Sequence, residues 1–131
     1  YIVEDNLNQI YLPKIFEDVS KEFLIRASKK HYFDPIIFDI GTYFYDDSKK
    51  KVNIQIDVVT LDYKGYISYE CKYTKRPLTK SIINEEEYQN RISNLGIYKL
   101  GFISKSGFED DVDKNKYNCF DLSDFYSFKL D

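Results

Sequence analysis

The order of periodic segments along the chain predicts a mixed α/β fold, in which a mixed β-sheet is flanked by helices. Helical periodicity opens the chain, three strand-like segments follow, and a second helix precedes one or two further strands and a terminal helix. With 131 residues, the chain has room for one domain with its own hydrophobic core. We therefore expect residues 1–131 to form a single domain of order α-β-β-β-α-β-(β)-α.

The first helix is predicted from apolar residues that recur at three- and four-residue steps between about residues 5 and 30. This stripe comprises Leu7, Ile10, Tyr11, Ile15, Val19, Phe23 and Leu24. Pro13 lies inside it and either kinks the helix or begins a second one, close to the favoured first turn. Because the chain starts at Tyr1 and contains no Met, we expect residues 1–11 to be a connecting helix from a longer chain.

Three strands are predicted next, over residues 36–45, 52–60 and 66–72. The second strand alternates, which predicts Ile54, Ile56 and Val58 on one face and Asp57 on the other. The segment 62–65 is typical of a hairpin turn, so the second and third strands are expected to pair antiparallel.

The remaining elements follow from turn and capping signals. Ser81 is predicted to cap a second helix that runs to about residue 94, followed by strands at 98–104 and 117–121 and a helix at 123–130. Three consecutive acids, Glu85, Glu86 and Glu87, are expected in the first turn of that second helix, where the helix dipole favours negative charge. We therefore assign them a structural role.

Charge and composition limit the possible partners. The net charge of −3 excludes a uniformly basic nucleic-acid binder, so an anionic partner needs a local patch. Lys75, Arg76 and Lys80 lie in a stretch without acids and form either such a phosphate-binding patch or a flexible Lys-rich loop. No apolar run is long enough for a membrane span, and no signal-peptide pattern is present. Cys71 and Cys119 have no zinc-site spacing and are expected to be buried or half-buried thiols in a cytoplasmic protein.

The predicted hairpin brings charged residues together. Turns of either two or four residues place Asp57 opposite Glu70, and Lys72 follows on the same face of the third strand. Opposed side chains have Cβ atoms about 4.5–5.5 Å apart, where like charges are destabilising. Mg²⁺ between the carboxylates would relieve this repulsion. The alternative is a solvated sheet face compensated by Lys72, and a bulge at Gly65 would shift the register by one residue.

These residues carry a resemblance to a known superfamily. Asp57, followed after twelve residues by Glu70-Cys71-Lys72 on the next strand, resembles the motif of the PD-(D/E)XK nucleases. Ile15-Phe16-Glu17 is similar to the segment that carries the glutamate of their first helix. Ile56 stands where the superfamily name has Pro. The resemblance implies a restriction-endonuclease-like core.

A more specific resemblance covers roughly residues 12 to 122. The segments Phe16-Glu17, Asp39-Ile40-Gly41-Thr42-Tyr43-Phe44, Ile56-Asp57-Val58-Val59 and Glu70-Cys71-Lys72-Tyr73 together resemble the C-terminal domain of unknown function (DUF234) of prokaryotic P-loop ATPases. No P-loop motif occurs in the chain, so the implied ATPase domain would lie upstream.

The resemblance implies specific roles. Asp57, Glu70 and the Cys71 main-chain carbonyl would bind Mg²⁺ or Mn²⁺, and Glu17 would reach the metal directly or through water. Lys72 would position the attacking water and stabilise developing charge. Glu22 is the alternative to Glu17, but it projects about 140° away around the helix. On the second helix, Gln89 is expected to contact nucleic acid beside the site.

The expected function is therefore metal-dependent hydrolysis of nucleic-acid phosphodiester bonds, with DNA as the favoured partner and RNA also compatible. One alternative is a nuclease-fold module with little or no activity that binds DNA or a partner and regulates the ATPase. Another is a dimerisation domain, because a chain with 13 Tyr and 10 Phe can present an apolar surface.

Overall fold

The computed structural model describes residues 12–92 and 95–127, which form a five-stranded sheet and three helices. The helices are α1 (Leu12–Lys29), α2 (Lys80–Ile92) and α3 (Leu122–Ser127). The strands are β1 (Asp39–Asp47), β2 (Val52–Asp62), β3 (Gly65–Lys72), β4 (Ile97–Ser104) and β5 (Asn118–Asp121). This order confirms the predicted mixed α/β class, including the short last strand and the terminal helix.

The sheet is open and mixed, and its strands lie side by side in chain order. β1, β2 and β3 form an antiparallel meander, whereas β4 is parallel to β3 and β5 is parallel to β4. A parallel neighbour needs a crossover connection, and α2 supplies the one between β3 and β4. No helix in the described ranges combines the length and the apolar character needed to cross a membrane.

Helices cover both faces of the sheet. Phe102 and Ile103 are adjacent on β4 and belong to different core clusters, as strand alternation requires. Ile103 packs with Phe23 of α1, and Phe102 packs with Ile83 of α2. The two helices therefore lie on opposite faces of the sheet, and side chains from both helices can reach a gap between its strands.

The buried face of α1 differs from the predicted stripe. Ile15 and Val19 are exposed, and the buried positions are Phe16, Ser20, Phe23, Leu24, Ala27 and Ser28. The predicted stripe includes Ile15 and Val19 because it was built from apolar residues alone. Small polar residues can also be buried when their side chains form hydrogen bonds with the helix backbone. Ser20, for example, donates to the Phe16 carbonyl at 2.7 Å. The predicted connecting helix, residues 1–11, lies outside the described residues.

The start of α2 also differs from the prediction. The helix begins at Lys80, and the Thr79 hydroxyl accepts the Ile82 N–H at 3.3 Å, so Thr79 is the N-cap and Ser81 is not. The first turn contains no acid, and the three consecutive glutamates lie one turn later. Their assignment to the helix dipole was therefore wrong, because the dipole acts mainly on the first turn.

The β2–β3 hairpin has the predicted register. Asp62 pairs with Gly65 across a two-residue turn, and the last paired residues are Val58 and Tyr69. Gly65 has a φ of 135°, a backbone conformation that would be strained for a residue with a side chain. The β2–β3 register is regular, so the bulge at Gly65 that would have shifted it by one residue does not occur. On the side away from the turn, the residues of β2 before Val58 pair only with β1, and the residues of β3 after Tyr69 pair only with β4. β2 and β3 therefore part at this point.

A β-bulge corrects the predicted faces of β2. Gly41 pairs with Val59 and Tyr43 pairs with Ile56, so two steps along β1 correspond to three along β2. Ile56 packs in a cluster with Val59, whereas Val58 packs against α1 on the opposite face. Strict alternation predicted that Ile56 and Val58 share a face, and this prediction was wrong because the two side chains lie on opposite faces. Asp57 and Val58 are the two residues of β2 that correspond to the single Thr42 of β1.

Candidate metal centre

Asp57 and Glu70 occupy the gap that opens where β2 and β3 part. They are the first residues beyond the last paired position of the two strands. Their carboxyl groups lie within hydrogen-bonding reach of each other, and after burial and the charge of Glu86 this proximity is a further cause that raises the pKa of Glu70. Glu70 is only 8% exposed. The structure thus brings these two predicted residues into direct contact.

The main chain of Cys71 faces the same gap. Its N–H faces the Asp57 carboxyl group and offsets part of the rise that burial causes in the pKa of that group. On an extended strand the N–H and C=O of one residue point to the same side, so the Cys71 carbonyl is directed toward Asp57 as well. The Cys71 thiol is half-buried beside Ser20, and burial raises its pKa to about 12, so it remains a neutral thiol. Both cysteines are free and half-buried, as predicted.

Lys72 lies between two carboxyl groups. Its Nζ is 3.9 Å from Glu70 Oε2 and 2.9 Å from Glu86 Oε1. Burial alone would lower the pKa of Lys72, but the hydrogen bond to Glu86 and the surrounding negative charge outweigh it and raise that pKa. Lys72 therefore carries a stable positive charge beside the carboxyl pair.

Glu17 approaches the carboxyl pair from α1. Its negative charge is one of the causes that raise the pKa of Asp57, after burial of Asp57 itself. Lys21 Nζ lies 3.5 Å from Glu17 and 3.3 Å from Thr42 Oγ1, and the Thr42 hydroxyl donates to the Asp57 carbonyl at 3.1 Å. This chain of contacts ties α1 to the bulge in β2.

The alternative helix acid is directed elsewhere. Glu22 Oε1 accepts from Arg26 Nε at 2.8 Å, and both side chains are more than half exposed. The five-residue offset between Glu17 and Glu22 turns their side chains to different sides of α1. Glu17 is therefore the acid of α1 that faces the gap.

The electrostatics of the gap favour an added cation. Burial and the charges of Glu86 and Asp57 raise the pKa of Glu70 to about 9, and burial together with Glu17 raises the pKa of Asp57. Within the described residues, no group of three or more His, Cys, Asp or Glu side chains is arranged to hold a metal ion. The groups at the gap that could bind a metal ion are the carboxylates of Asp57 and Glu70 and the main-chain carbonyl of Cys71. A set of this size would suit Mg²⁺, because this ion keeps several water ligands.

Glu86 is the residue that sequence reasoning missed. It was assigned a structural role with its neighbours, yet it is 9% exposed and binds Lys72. The helical spacing of Ile83, Glu86 and Asn90, which are all buried, is the signal that could have identified it. A glutamate on the inward face of an amphipathic helix calls for a cationic partner.

The predicted nucleic-acid contacts occupy two places. Lys75 and Arg76 are exposed in the loop after β3. Lys105, which follows β4, places its Nζ 4.3 Å from the centre of the Tyr73 ring in that loop. Lys80 and Gln89 line an open groove of about 1070 Å³ between α2 and the start of β2. The structure does not gather the four predicted contacts into one patch.

Comparison with known families gives one match. The family model DUF234, described as archaea bacterial proteins of unknown function, matches residues 2–92. This range covers more than half of the chain and includes Glu17, Asp57, Glu70, Lys72 and Glu86. No curated protein and no solved structure shows significant similarity. On the strength of the family match, the chain belongs to the DUF234 family of archaeal and bacterial proteins of unknown function.

Proposed function

We propose that this domain is a metal-dependent nuclease that hydrolyses phosphodiester bonds, with DNA as its main substrate and Mg²⁺ or Mn²⁺ as its cofactor. The observation that carries the proposal is the contact between Asp57 and Glu70 in the gap between β2 and β3. The main chain of Cys71 and the ammonium of Lys72 lie beside this pair. The order of α1, the meander, α2 and the parallel β4 supports a restriction-endonuclease-like core.

The residues present fit a divalent cation. Burial and the neighbouring acids raise the pKa of Glu70, and a divalent metal ion between the two carboxylates would neutralise their repulsion. Asp57, Glu70 and the Cys71 carbonyl would hold the ion, and Glu17 would reach it directly or through water. When bound, the metal would polarise the phosphate and lower the pKa of the attacking water.

Lys72 and Glu86 supply the rest of the proposed chemistry. The Lys72 ammonium is close enough to Glu70 to orient a water at the gap and to face negative charge that develops on the phosphate. Glu86 holds this ammonium at 2.9 Å and keeps it charged. Glu86 is thus a positioning residue for Lys72 in this scheme.

Cleavage assays test the proposal. We expect the domain to cut plasmid, branched DNA or RNA in Mn²⁺ and not in EDTA, and we expect Glu70→Gln and Lys72→Ala to abolish cutting. Lys64→Ala is the matched control, because Lys64 is an exposed cation on the hairpin turn. Circular dichroism verifies that each variant is folded. Cleavage that survives Glu70→Gln would refute the assignment.

A second candidate is a nuclease-fold module that binds DNA or a partner without cutting. The observation that favours it is the position of Lys72, which is 1 Å closer to Glu86 than to Glu70, as in an ion pair that compensates charge. Under either candidate we propose a cytoplasmic module that follows an ATPase domain in the full-length chain. Sedimentation velocity would show whether the domain is a homodimer.

A further inference from the structure

A groove between α2 and the start of β2 is built on two of the elements that carry the candidate metal centre. It has a volume of about 1070 Å³ and is lined by Lys51, Asn53, Gln55, Lys80, Tyr88 and Gln89, among others. Gln55 is two residues before Asp57, which corresponds to about 7 Å along a strand. On α2, Gln89 follows Glu86 by three residues, so the two lie on adjacent turns of the helix, with Glu86 buried and Gln89 exposed. The groove and the centre are thus built on the same two elements.

The lining of the groove suits bases better than phosphates. Its two lysines are matched by two acids, Glu85 and Asp111, so the groove has little net positive charge. Duplex binding depends largely on neutralising phosphates with several cations, which this groove does not provide. Asn53, Gln55, Asn84 and Gln89 instead provide amides, which offer both a donor and an acceptor.

Tyr88 provides a flat surface for an unpaired base. Its side chain is 61% exposed, and it lies on the wall of the groove. Exposed aromatic rings stack on bases of single strands, whose faces and Watson–Crick edges are accessible. The volume of about 1070 Å³ is slightly above the range of about 300–1,000 Å³ that is usual for ligand sites. It is therefore large enough for a short strand segment.

We propose that this groove binds an unpaired nucleic-acid strand, with one base stacked on Tyr88 and base edges read by Gln55 and Gln89. The inference rests on the proposed nuclease function for its role, since the strand would continue from the groove into the gap at Asp57. The substrate would then be a single strand or a junction with an unpaired arm.

Binding can be tested separately from cleavage. Fluorescence anisotropy in EDTA would compare short fluorescent single strands of DNA and RNA with a blunt duplex of the same sequence. We expect single strands to bind more tightly than the duplex, and we expect Tyr88→Ala to weaken single-strand binding about five- to 150-fold, as for loss of one base stack. Tyr88→Phe should retain most of the affinity because the ring remains.

Tyr63→Ala is the matched control, because Tyr63 is 72% exposed on the hairpin turn, at the opposite end of β2. Equal affinity for duplex and single strand, or unchanged binding by Tyr88→Ala, would overturn the groove assignment. The DNA and RNA arms identify which strand is preferred. Failure of the proposed nuclease function would appear instead as absence of cleavage in Mn²⁺ with strand binding intact.

Discussion

Glu70→Gln should stabilise the metal-free protein while removing a ligand of the proposed metal site. Burial and the charges of Glu86 and Asp57 raise the pKa of Glu70 from 4.5 to about 9. The folded protein therefore keeps a proton that the unfolded chain loses above about pH 4.5, and its stability falls as the pH rises from there toward about 9. At about 1.4 kcal/mol per pH unit, this costs the folded state about 3 kcal/mol near pH 7.

Glutamine removes the titration and can still donate a hydrogen bond to Asp57. We expect Glu70→Gln to raise the free energy of unfolding by about 1 to 3 kcal/mol near pH 7, or the melting temperature by roughly 4 to 10 °C. The gain should disappear near pH 4, where wild-type Glu70 is protonated in both states. Thermal and urea unfolding in EDTA would measure it.

Glu22→Gln is the matched control, because Glu22 is exposed and only loses its pair with Arg26. That change should cost less than about 0.5 kcal/mol. If Glu70→Gln were destabilising near pH 7, or if its gain persisted unchanged near pH 4, the account of a strained carboxyl pair would be wrong.

Two further predictions concern stability. Lys72→Met should lower the free energy of unfolding by about 2 kcal/mol in urea denaturation, because it leaves the buried Glu86 without its cation. Adding Glu86→Gln to this variant should recover most of the lost free energy of unfolding. Lys64→Met is the control and should change that free energy little. If Glu86→Gln did not reduce the loss, the proposed energetic coupling between Lys72 and Glu86 would be wrong. Gly101→Ala should cost at least about 2 kcal/mol, because its Cβ would collide with the fully buried ring of Tyr69; an unchanged melting temperature would contradict this packing.

The class of the fold and most of its elements could be predicted because they depend on local patterns. The hairpin turn at 62–65 fixed the register of β2 and β3, so the meeting of Asp57 and Glu70 followed from counting along two strands. The Glu70–Lys72 spacing is likewise a local property of one strand. The choice of Glu17 on α1 came from its resemblance to the nuclease motif, and helix geometry added only that Glu22 projects to another side of the helix.

What could not be predicted depends on contacts between distant elements. The bulge that separates Ile56 from Val58 arises in pairing with β1, and nothing in the alternating sequence of β2 indicates it. Glu86 was misassigned because the true start of α2 is set by Thr79 and because its partner, Lys72, lies fourteen residues away. Tertiary pairing thus decided the details that the local pattern left open.

Direct measurement of metal binding tests the central claim most sharply. Isothermal titration calorimetry with Mn²⁺ should show binding by the parent domain and by Glu22→Gln, and none by Asp57→Asn or Glu70→Gln. All four proteins should be folded by circular dichroism before titration. If Glu70→Gln bound Mn²⁺ as tightly as the parent, the gap between β2 and β3 would not be a metal centre.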